Sequence, residues 1–234
     1  MRGPELSPRL RMVGELVPEG ARLADVGTDH AYLPAALILE GKIPWAIAAD
    51  LRQGPLNRAR ATVREYGLTG KVAFRLCDGL SGIRPGEVDA VAAAGMGGET
   101  IAAILTAAPW TLERDVPLIL QPMSSFPDLR KWLGENGFAI EKERLAREGE
   151  TLYTALLVRT GEMPPLSPAE LWAGKNTADP LRGDWLDRWL ARVRQALEGM
   201  SRARREKPPA RKRELEEVAA GLIDMKKEWE QWQT

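Results

Sequence analysis

In this chain of 234 residues, acidic residues lie at the ends of several short apolar runs. The most informative stretch runs from Ala24 to Pro34, where Asp25 and Asp29 flank Gly27 between an apolar run and a helix-like segment. Gly27 lets a ligand approach the backbone closely. In an open α/β sheet, the turn after the first strand is where nucleotide-like cofactors bind. The stretch therefore predicts both a fold and a cofactor site.

The ends of the next three predicted strands also have residues suited to binding a cofactor. Asp50 ends the second apolar run, a place where an acid typically accepts hydrogen bonds from ribose hydroxyls. Asp78, followed by Gly79, ends the third and is suited to accept from an adenine amino group. Gly95 and Met96 lie in a glycine-rich loop after the fourth. A lone Asp after a strand is usually a cap or turn former, but four such strand ends together indicate an adenosine-containing cofactor.

Charge favours one such cofactor over another. NAD and S-adenosyl-L-methionine (SAM) both contain adenosine, but the first turn lacks the G-x-G-x-x-G pattern that binds a pyrophosphate. A carboxylate at Asp29 would repel a pyrophosphate, whereas it would attract a sulfonium or an ammonium. Asp25 either holds the turn or accepts a hydrogen bond from a cationic ligand. The turn therefore favours SAM.

The elements around these residues alternate between strand and helix, which predicts βαβ units and a mostly parallel sheet of the α/β class. The last two strands follow each other without a helix, so we expect an antiparallel hairpin at one sheet edge. The predicted strands are Arg22–Val26, Ala46–Asp50, Val72–Cys77, Ala90–Ala94, Leu118–Gln121, Ala139–Glu143 and Leu152–Val158. The predicted helices are Ala31–Glu40, Pro55–Tyr66, Glu99–Ala107 and Pro127–Asn136.

A proline-rich stretch, residues 163–168, ends this pattern and predicts two domains, residues 1–161 and 162–234. The second domain has two apolar seams of helical period, separated by the Lys207-Pro208-Pro209 segment that cannot continue a helix. Two antiparallel helices with a tryptophan-rich seam, a coiled-coil hairpin, are expected. The seams comprise Leu186, Trp189, Val193, Ala196 and Met200, then Leu215, Val218, Leu222, Met225, Trp229 and Trp232.

Composition excludes several other classes. One cysteine, Cys77, rules out an internal disulfide and fits a reducing compartment, and a single histidine beside it argues against a zinc cluster. No apolar run approaches membrane-spanning length. The first five residues lack the apolar core of a signal peptide, so we expect a cytoplasmic protein without a membrane partner.

The formal net charge is zero, but the charged residues are unevenly distributed along the chain. Residues 182–213 hold eleven Lys and Arg against four acids, while residues 214–234 hold two Lys against six acids. Such a local basic patch can bind phosphates in a neutral molecule. A solvated helix face is the alternative interpretation.

Five motifs resemble the bacterial TrmK methyltransferases, which methylate N1 of adenosine 22 in tRNA. The resemblance extends through about two-thirds of the chain. It implies a class I, SAM-dependent Rossmann-like domain followed by a helical C-terminal domain, with tRNA as substrate. The motifs are Leu6–Leu10, Gly27–Pro34, Asp78–Leu80, Gly95–Gly98 and Leu118–Pro122.

The resemblance suggests roles for residues near the first turn. Asp29 is the candidate catalytic residue, because a carboxylate stabilises the positive charge that develops on the methylated base; the alternative is a helix cap. His30 is expected to contact the cofactor or to be a packed core histidine. Tyr32 is expected to line the base pocket or to belong to the core, and Gln121 and Pro122 are expected at the substrate.

A target base that is stacked or paired in folded tRNA must be exposed to reach this site, so the enzyme must hold the RNA by its phosphates. The expected phosphate contacts are Arg204, Arg205, Arg211 and Arg213, at the tip of the predicted hairpin. Two other functions remain open: methylation of another RNA or a small molecule, and a non-enzymatic nucleotide- or RNA-binding module. The sequence leaves the oligomeric state open.

Overall fold

The computed structural model describes residues 3–175, 178–202 and 209–232. The chain forms two compact units, and the boundary between them in the sequence falls between Met163 and Pro164. The first unit alternates strands and helices, as expected. Its elements are α1 (Pro8–Leu16), β1 (Leu23–Val26), α2 (Tyr32–Leu39), β2 (Ala46–Asp50), α3 (Gln53–Glu65), β3 (Val72–Leu76), β4 (Ala90–Gly97), α4 (Gly98–Thr106), α5 (Trp110–Glu113), β5 (Leu118–Ser124), α6 (Phe126–Glu135), β6 (Phe138–Glu148) and β7 (Thr151–Thr160).

One seven-stranded sheet organises the first unit, in the order β3-β2-β1-β4-β5-β7-β6. The first five strands pair in parallel, and β7 and β6 are added antiparallel at one edge. This confirms the predicted Rossmann-like sheet and its edge hairpin. β1 and β2 are buried along their whole lengths, because parallel strands are covered on both faces.

Helices cover both faces of the sheet and make two apolar layers. One layer contains Val13 of α1, Leu37 of α2 and Val63 of α3. The other contains Ile101 of α4 and Leu129 of α6. With both faces covered, the open positions lie at the carboxyl ends of the strands, where loops connect strands to helices.

Helix α1 was not among the predicted helices. Ser7 caps it, with Oγ accepting from Leu10 N at 3.5 Å, and Pro8 occupies its first turn. The helix packs against β6 and β7 and also approaches the ends of β4 and β5. It therefore brings Arg9 to the sheet edge where the acids lie.

Strand β4 also differs from expectation, since it continues to Gly97 instead of ending at Ala94. Its pairing with β5 shifts register between Ala94 and Met96, and again before Gly97, so Gly95 lies in a bulge with φ of +78°. The predicted loop is thus irregular strand. A bulge changes the direction of side chains without ending the strand. Here it exposes the backbone at Gly95 at the carboxyl end of the sheet.

The second unit contains α7 (Pro168–Ala173), α8 (Arg182–Arg202) and α9 (Pro209–Trp232). The two long helices run antiparallel, since Asp187 near the start of α8 pairs with Lys226 near the end of α9. The first three seam residues of each helix are buried, namely Leu186, Trp189 and Val193 of α8 and Leu215, Val218 and Leu222 of α9. The predicted seam is wrong at its ends, where Ala196 is exposed and Trp232 is 79% exposed.

The short helix α7 also contributes to the core of the second unit. Trp172 of α7 meets Trp189 edge-on at 5.3 Å between ring centroids, and a Cβ on Gly221 would lie 2.6 Å from Ala169 Cβ. The buried Arg182 donates to Ala173 O and Gly174 O at the end of α7. Three helices, rather than two, therefore form this small core. No described helix is long and apolar enough to cross a membrane.

Candidate active site

The carboxyl ends of β1, β2, β3 and β4 form two adjoining clefts. One, of about 310 Å³, lies beside Asp50, Asp78 and Met96, and we call it the β2–β3 cleft. The other, of about 380 Å³, lies beside Arg9 and Asp25, and we call it the α1–α2 cleft. Gly27, Ala94 and Gly95 line both clefts. A ligand that follows these glycines would therefore extend from one cleft into the other.

The β2–β3 cleft gathers six of the residues predicted to bind a cofactor, Gly27 among them. Asp50 is nearly buried, and its Oδ1 accepts from Arg52 N at 2.7 Å, which fixes the carboxylate at the strand end. Asp78 is exposed. Gly79 has φ of +52°, and a Cβ there would lie 2.9 Å from Ile104, so glycine is required. Gly95 and Met96 complete the lining.

Gly27 lines both clefts and is closely packed. Its φ is +74°, its N–H donates to Ala49 O at 2.8 Å, and a Cβ would lie 2.2 Å from Met96 Cε. The Met96 methyl group thus rests directly on Gly27. Met96 is flexible and unbranched, so it forms an adaptable wall against which the bare backbone of Gly27 lies.

Asp25 is the acid most strongly affected by its surroundings. It lines the α1–α2 cleft but is only 7% exposed. Burial raises the pKa of Asp25 to about 6, a hydrogen bond with Thr28 opposes that rise, and the charge of Asp50 adds to it. A carboxylate held beside a cleft at this cost is stabilised by any cation that enters.

Asp29 lies on the rim of the same cleft with its side chain 64% exposed. The helix-cap interpretation of Asp29 is wrong. Helix α2 is preceded by Ala31 with φ of 54°, and Ala31 N donates to Thr28 Oγ1 at 3.1 Å. The Asp29 carboxylate instead pairs with the guanidinium of Arg58 from α3, whose Nε donates at 3.1 Å.

His30 and Tyr32 form an aromatic pair beside Asp29. Their rings stack with centroids 5.0 Å apart and planes 12° apart. His30 Nε2 is 3.5 Å from Asp29 Oδ2, and Tyr32 is 40% exposed. The core alternative for Tyr32 is thus wrong, because a core tyrosine would be buried. The face of the Tyr32 ring that does not stack on His30 is available to a planar partner.

Gln121 and Pro122 are not among the described residues that line the two clefts, and their contact with substrate stays a prediction. Both are buried, and the Gln121 side chain is used by the protein itself. Its Oε1 accepts from Arg9 Nη1 at 2.8 Å and from Gly95 N at 3.0 Å, while Nε2 donates to Pro122 O at 3.0 Å. Gln121 therefore joins α1, β4 and β5.

The predicted RNA-binding arginines are only partly described. Arg204 and Arg205 lie outside the described residues. Arg211 and Arg213 are exposed on the first turns of α9, and Arg211 Nη1 donates to Glu214 Oε1 at 2.6 Å. Exposed pairs of this kind contribute little to stability and exchange readily, so Arg211 remains accessible to other anions.

Three residues at the clefts were not predicted from the sequence as site residues. Arg9 and Arg58 reach the site from helices that are distant in the chain, and only the Leu6–Leu10 motif drew attention to Arg9. Leu51 follows Asp50 and is 65% exposed in the β2–β3 cleft, which is unusual for a leucine. Within the described part of the chain, no group of three or more His, Cys, Asp or Glu is arranged to hold a metal ion.

Comparison with known proteins assigns the family. A family model described as "Methyltransferase domain" matches residues 6–156. The tRNA (adenine(22)-N(1))-methyltransferase of Bacillus subtilis is 40% identical over 158 residues, which is 68% of this chain and 66% of that protein, slightly under two thirds of its length. The chain belongs to the TrmK methyltransferase family.

Solved structures extend the TrmK likeness over nearly the whole chain. M. capricolum TrmK in complex with S-adenosyl-homocysteine has a TM-score of 0.76 and 26% identity, covering 96% of this chain and 98% of that one. A Streptococcus pneumoniae protein crystallised with SAM has a TM-score of 0.82 and 32% identity, covering 95% and 100%. The resemblance inferred from the five motifs is thus confirmed.

We predict that Asp25→Asn stabilises the folded protein in a pH-dependent way. The pKa of Asp25 in the folded state, about 6, lies above its usual 3.8, so the folded state binds the proton more tightly. The ionised group therefore costs stability as pH rises from about 4 to about 6, and the full cost of about 3 kcal/mol applies above that range. Asn removes this cost.

Urea unfolding at about pH 4 and about pH 7.5 checks the effect. The gain should appear at the higher pH and vanish at the lower one. Asp78→Asn, on the same sheet edge but exposed, is the matched control and should change little. Equal or lower stability of Asp25→Asn at the higher pH would show that burial of this carboxylate is not costly.

Proposed function

We propose that this protein transfers the methyl group of SAM to N1 of adenosine 22 in tRNA. The observation that supports this best is the pair of clefts joined at Gly27 and Gly95, with acids on both sides of the junction. Membership of the TrmK family supplies the expected position of the target base. The proposed compartment is the cytoplasm.

The residues of the clefts fit SAM chemically. The nearly buried Asp50 carboxylate suits ribose hydroxyls, Asp78 suits an adenine amino group, and Leu51 offers an exposed apolar side chain to the ring. Gly27 and Gly95 present bare backbone at the junction. In the second cleft, the buried Asp25 suits a cation, whereas a pyrophosphate would meet two carboxylates there. SAM has cationic groups at that end, so it fits better than a dinucleotide.

When bound, SAM supplies an electrophilic methyl group on a positively charged sulfur. N1 of adenine has an in-plane lone pair, so it forms the new N–C bond directly as the bond from methyl carbon to sulfur breaks. The protein therefore has mainly to align the reacting atoms and exclude other geometries. The stacked His30–Tyr32 pair presents the exposed Tyr32 ring on which a flipped adenine can stack.

The role we propose for Asp29 is to stabilise the product. Methylation at N1 leaves the base positively charged, and a nearby carboxylate lowers the energy of that developing charge. Arg58 holds one oxygen of Asp29, while most of the side chain remains exposed on the cleft rim. This exposed, charged position supports an electrostatic role for Asp29.

Binding of tRNA needs cations beyond the clefts, since the phosphate backbone supplies most of the affinity. We propose that the first unit performs the methyl transfer and that the arginines at the start of α9, with their neighbours in residues 203–208, contact RNA phosphates. The eleven cations in residues 182–213 support this assignment.

The direct test is methylation of transcribed tRNA with SAM, followed by nucleoside mass spectrometry. We expect 1-methyladenosine in a tRNA with adenosine at position 22 and none in the same tRNA with guanosine there. Methylation of both RNAs, or of another nucleoside, would indicate a different RNA substrate. Calorimetry that detects no SAM binding would favour the non-enzymatic alternative.

Asp29→Ala should slow methyl transfer at least about tenfold while leaving SAM affinity unchanged, because Asp29 acts on the charge that develops during reaction. Single-turnover rates and SAM titrations measure the two effects separately. Glu65→Ala, which removes an exposed acid at the end of α3, is the control. A normal single-turnover rate for Asp29→Ala would contradict the assigned role.

Replacing Arg211 and Arg213 together by Glu should weaken tRNA binding about tenfold or more, with SAM affinity unchanged, because phosphate contacts are lost and repulsion is added. Filter binding at two salt concentrations measures this effect. Lys131→Glu with Lys227→Glu makes the same change of net charge at other exposed positions and should have a smaller effect. Equal loss in both double variants would indicate a general charge effect only.

A further inference from the structure

A second basic region lies in the first unit, on helix α3 and the strand that follows it. Residues 52–75 hold six Lys and Arg against one acid, Glu65, although the whole chain has no net charge. Two of the six cations are paired with acids of the same unit. Arg58 pairs with Asp29, and Arg75 Nη2 lies 2.9 Å from Glu87 Oε1. Four cations of the region remain.

These four cations form what we call the α3–β3 surface, namely Arg52, Arg60, Arg64 and Lys71. Arg60 Cζ lies 4.8 Å from the centroid of the Phe74 ring on β3, so this side of α3 faces the edge strand of the sheet. Arg64 is one helical turn further along the same side. Arg64 and Lys71 are exposed, and within residues 3–175 no carboxylate pairs with Arg60, Arg64 or Lys71.

The α3–β3 surface begins at the candidate active site. Arg52, just before α3, lines the β2–β3 cleft, and its side chain is 79% exposed although its Nε lies 3.8 Å from Asp50 Oδ1. Helix α3 then leads away from the cleft for 13 residues, about 20 Å. Lys71 lies at the far end, just before β3. The surface is thus longer than the rise of several nucleotides, about 3.4 Å each.

Protection of the sheet edge is the structural alternative for these cations, since lysines on an edge strand prevent pairing with another chain. This alternative accounts for Lys71 beside β3, but not for Arg60 and Arg64, because a helix presents no strand edge. A second copy of the same surface would be repelled by its like charge. A partner with regularly spaced negative charges fits the surface better.

We infer that the α3–β3 surface binds phosphates of the tRNA strand on one side of the target adenosine, while the base itself occupies the clefts. This inference rests on the proposed function, because it requires a nucleotide of tRNA at the clefts. It goes beyond that proposal by giving the first unit a phosphate contact of its own, separate from the arginines at the start of α9. Phosphate contacts set the register of the RNA without reading its bases.

The test reverses the charge of two surface residues in the full chain, Arg64→Glu with Lys71→Glu. We expect tRNA binding to weaken about tenfold or more, with SAM affinity unchanged, because neither residue lines a cleft. The KM for tRNA should rise by a similar factor. The single-turnover rate at saturating tRNA should stay normal, since the alignment of the reacting atoms is not altered.

The neutral pair Arg64→Gln with Lys71→Gln tests the contact in a second way. Each phosphate contact that is lost lowers the dependence of binding on salt. The slope of log affinity against log salt concentration should therefore decrease in magnitude by about 2, roughly one for each cation. This pair also tests the inference if the charge-reversed protein fails to fold.

The matched control is Arg84→Glu with Lys131→Glu, which makes the same change of charge elsewhere on the first unit. The two side chains are 85% and 64% exposed, and Lys131 lies on α6, which packs on the opposite face of the sheet from α3. The control pair should weaken tRNA binding much less than the pair on the α3–β3 surface. Equal weakening by both pairs would reduce the effect to net charge and overturn the inference.

Two further results would also overturn it. Unchanged tRNA affinity and salt dependence in both surface variants would show that this surface does not contact RNA. The same result together with self-association of the variants in size-exclusion chromatography would assign the cations to protection of the sheet edge. Failure of the proposed function looks different, since the wild-type protein would then bind tRNA with this salt dependence but methylate another nucleoside or none.

Discussion

Parallel pairing of β1 with β2 and β4 is the constraint on which the site depends. In this register Val26 lies opposite both Ala49 and Ala93, so β1 and β2 end at nearly the same level, just before the bulge of β4 begins. The groups that follow them must then share one sheet edge. Asp50 and the glycines at positions 27 and 95 are adjacent for this reason, although they are far apart in the chain. Both clefts are consequences of strand register.

Two acids of the first turn have different environments and hence different roles. Asp25 is at the strand end and buried, so its ionised form is costly and is stabilised by a cation. Asp29 is four residues later and exposed, and Arg58 holds it on the cleft rim. The first acid is therefore almost shielded from solvent, whereas the second is accessible from it.

Gln121 links the sheet to the helix that precedes it. Its single amide oxygen serves both the backbone of the β4 bulge and Arg9 of α1. A buried amide must satisfy its hydrogen bonds within the protein, so its position fixes both partners. Arg9 is thereby held at the cleft that Asp25 also lines. The second unit has its own small core of three helices around Trp185 and Trp189.

The sequence by itself determined the alternation of strands and helices, the edge hairpin and the acids at strand ends, because apolar runs and turn residues act locally. It also indicated SAM over a dinucleotide, since Asp29 stands where a pyrophosphate would need bare N–H groups. Tertiary structure alone decided that Arg9 and Arg58 reach the clefts, that Gln121 is a buried support, and that Trp232 lies outside the seam. Each of these depends on contacts between residues distant in the chain, and no local pattern of residue types encodes which distant side chain will be the partner.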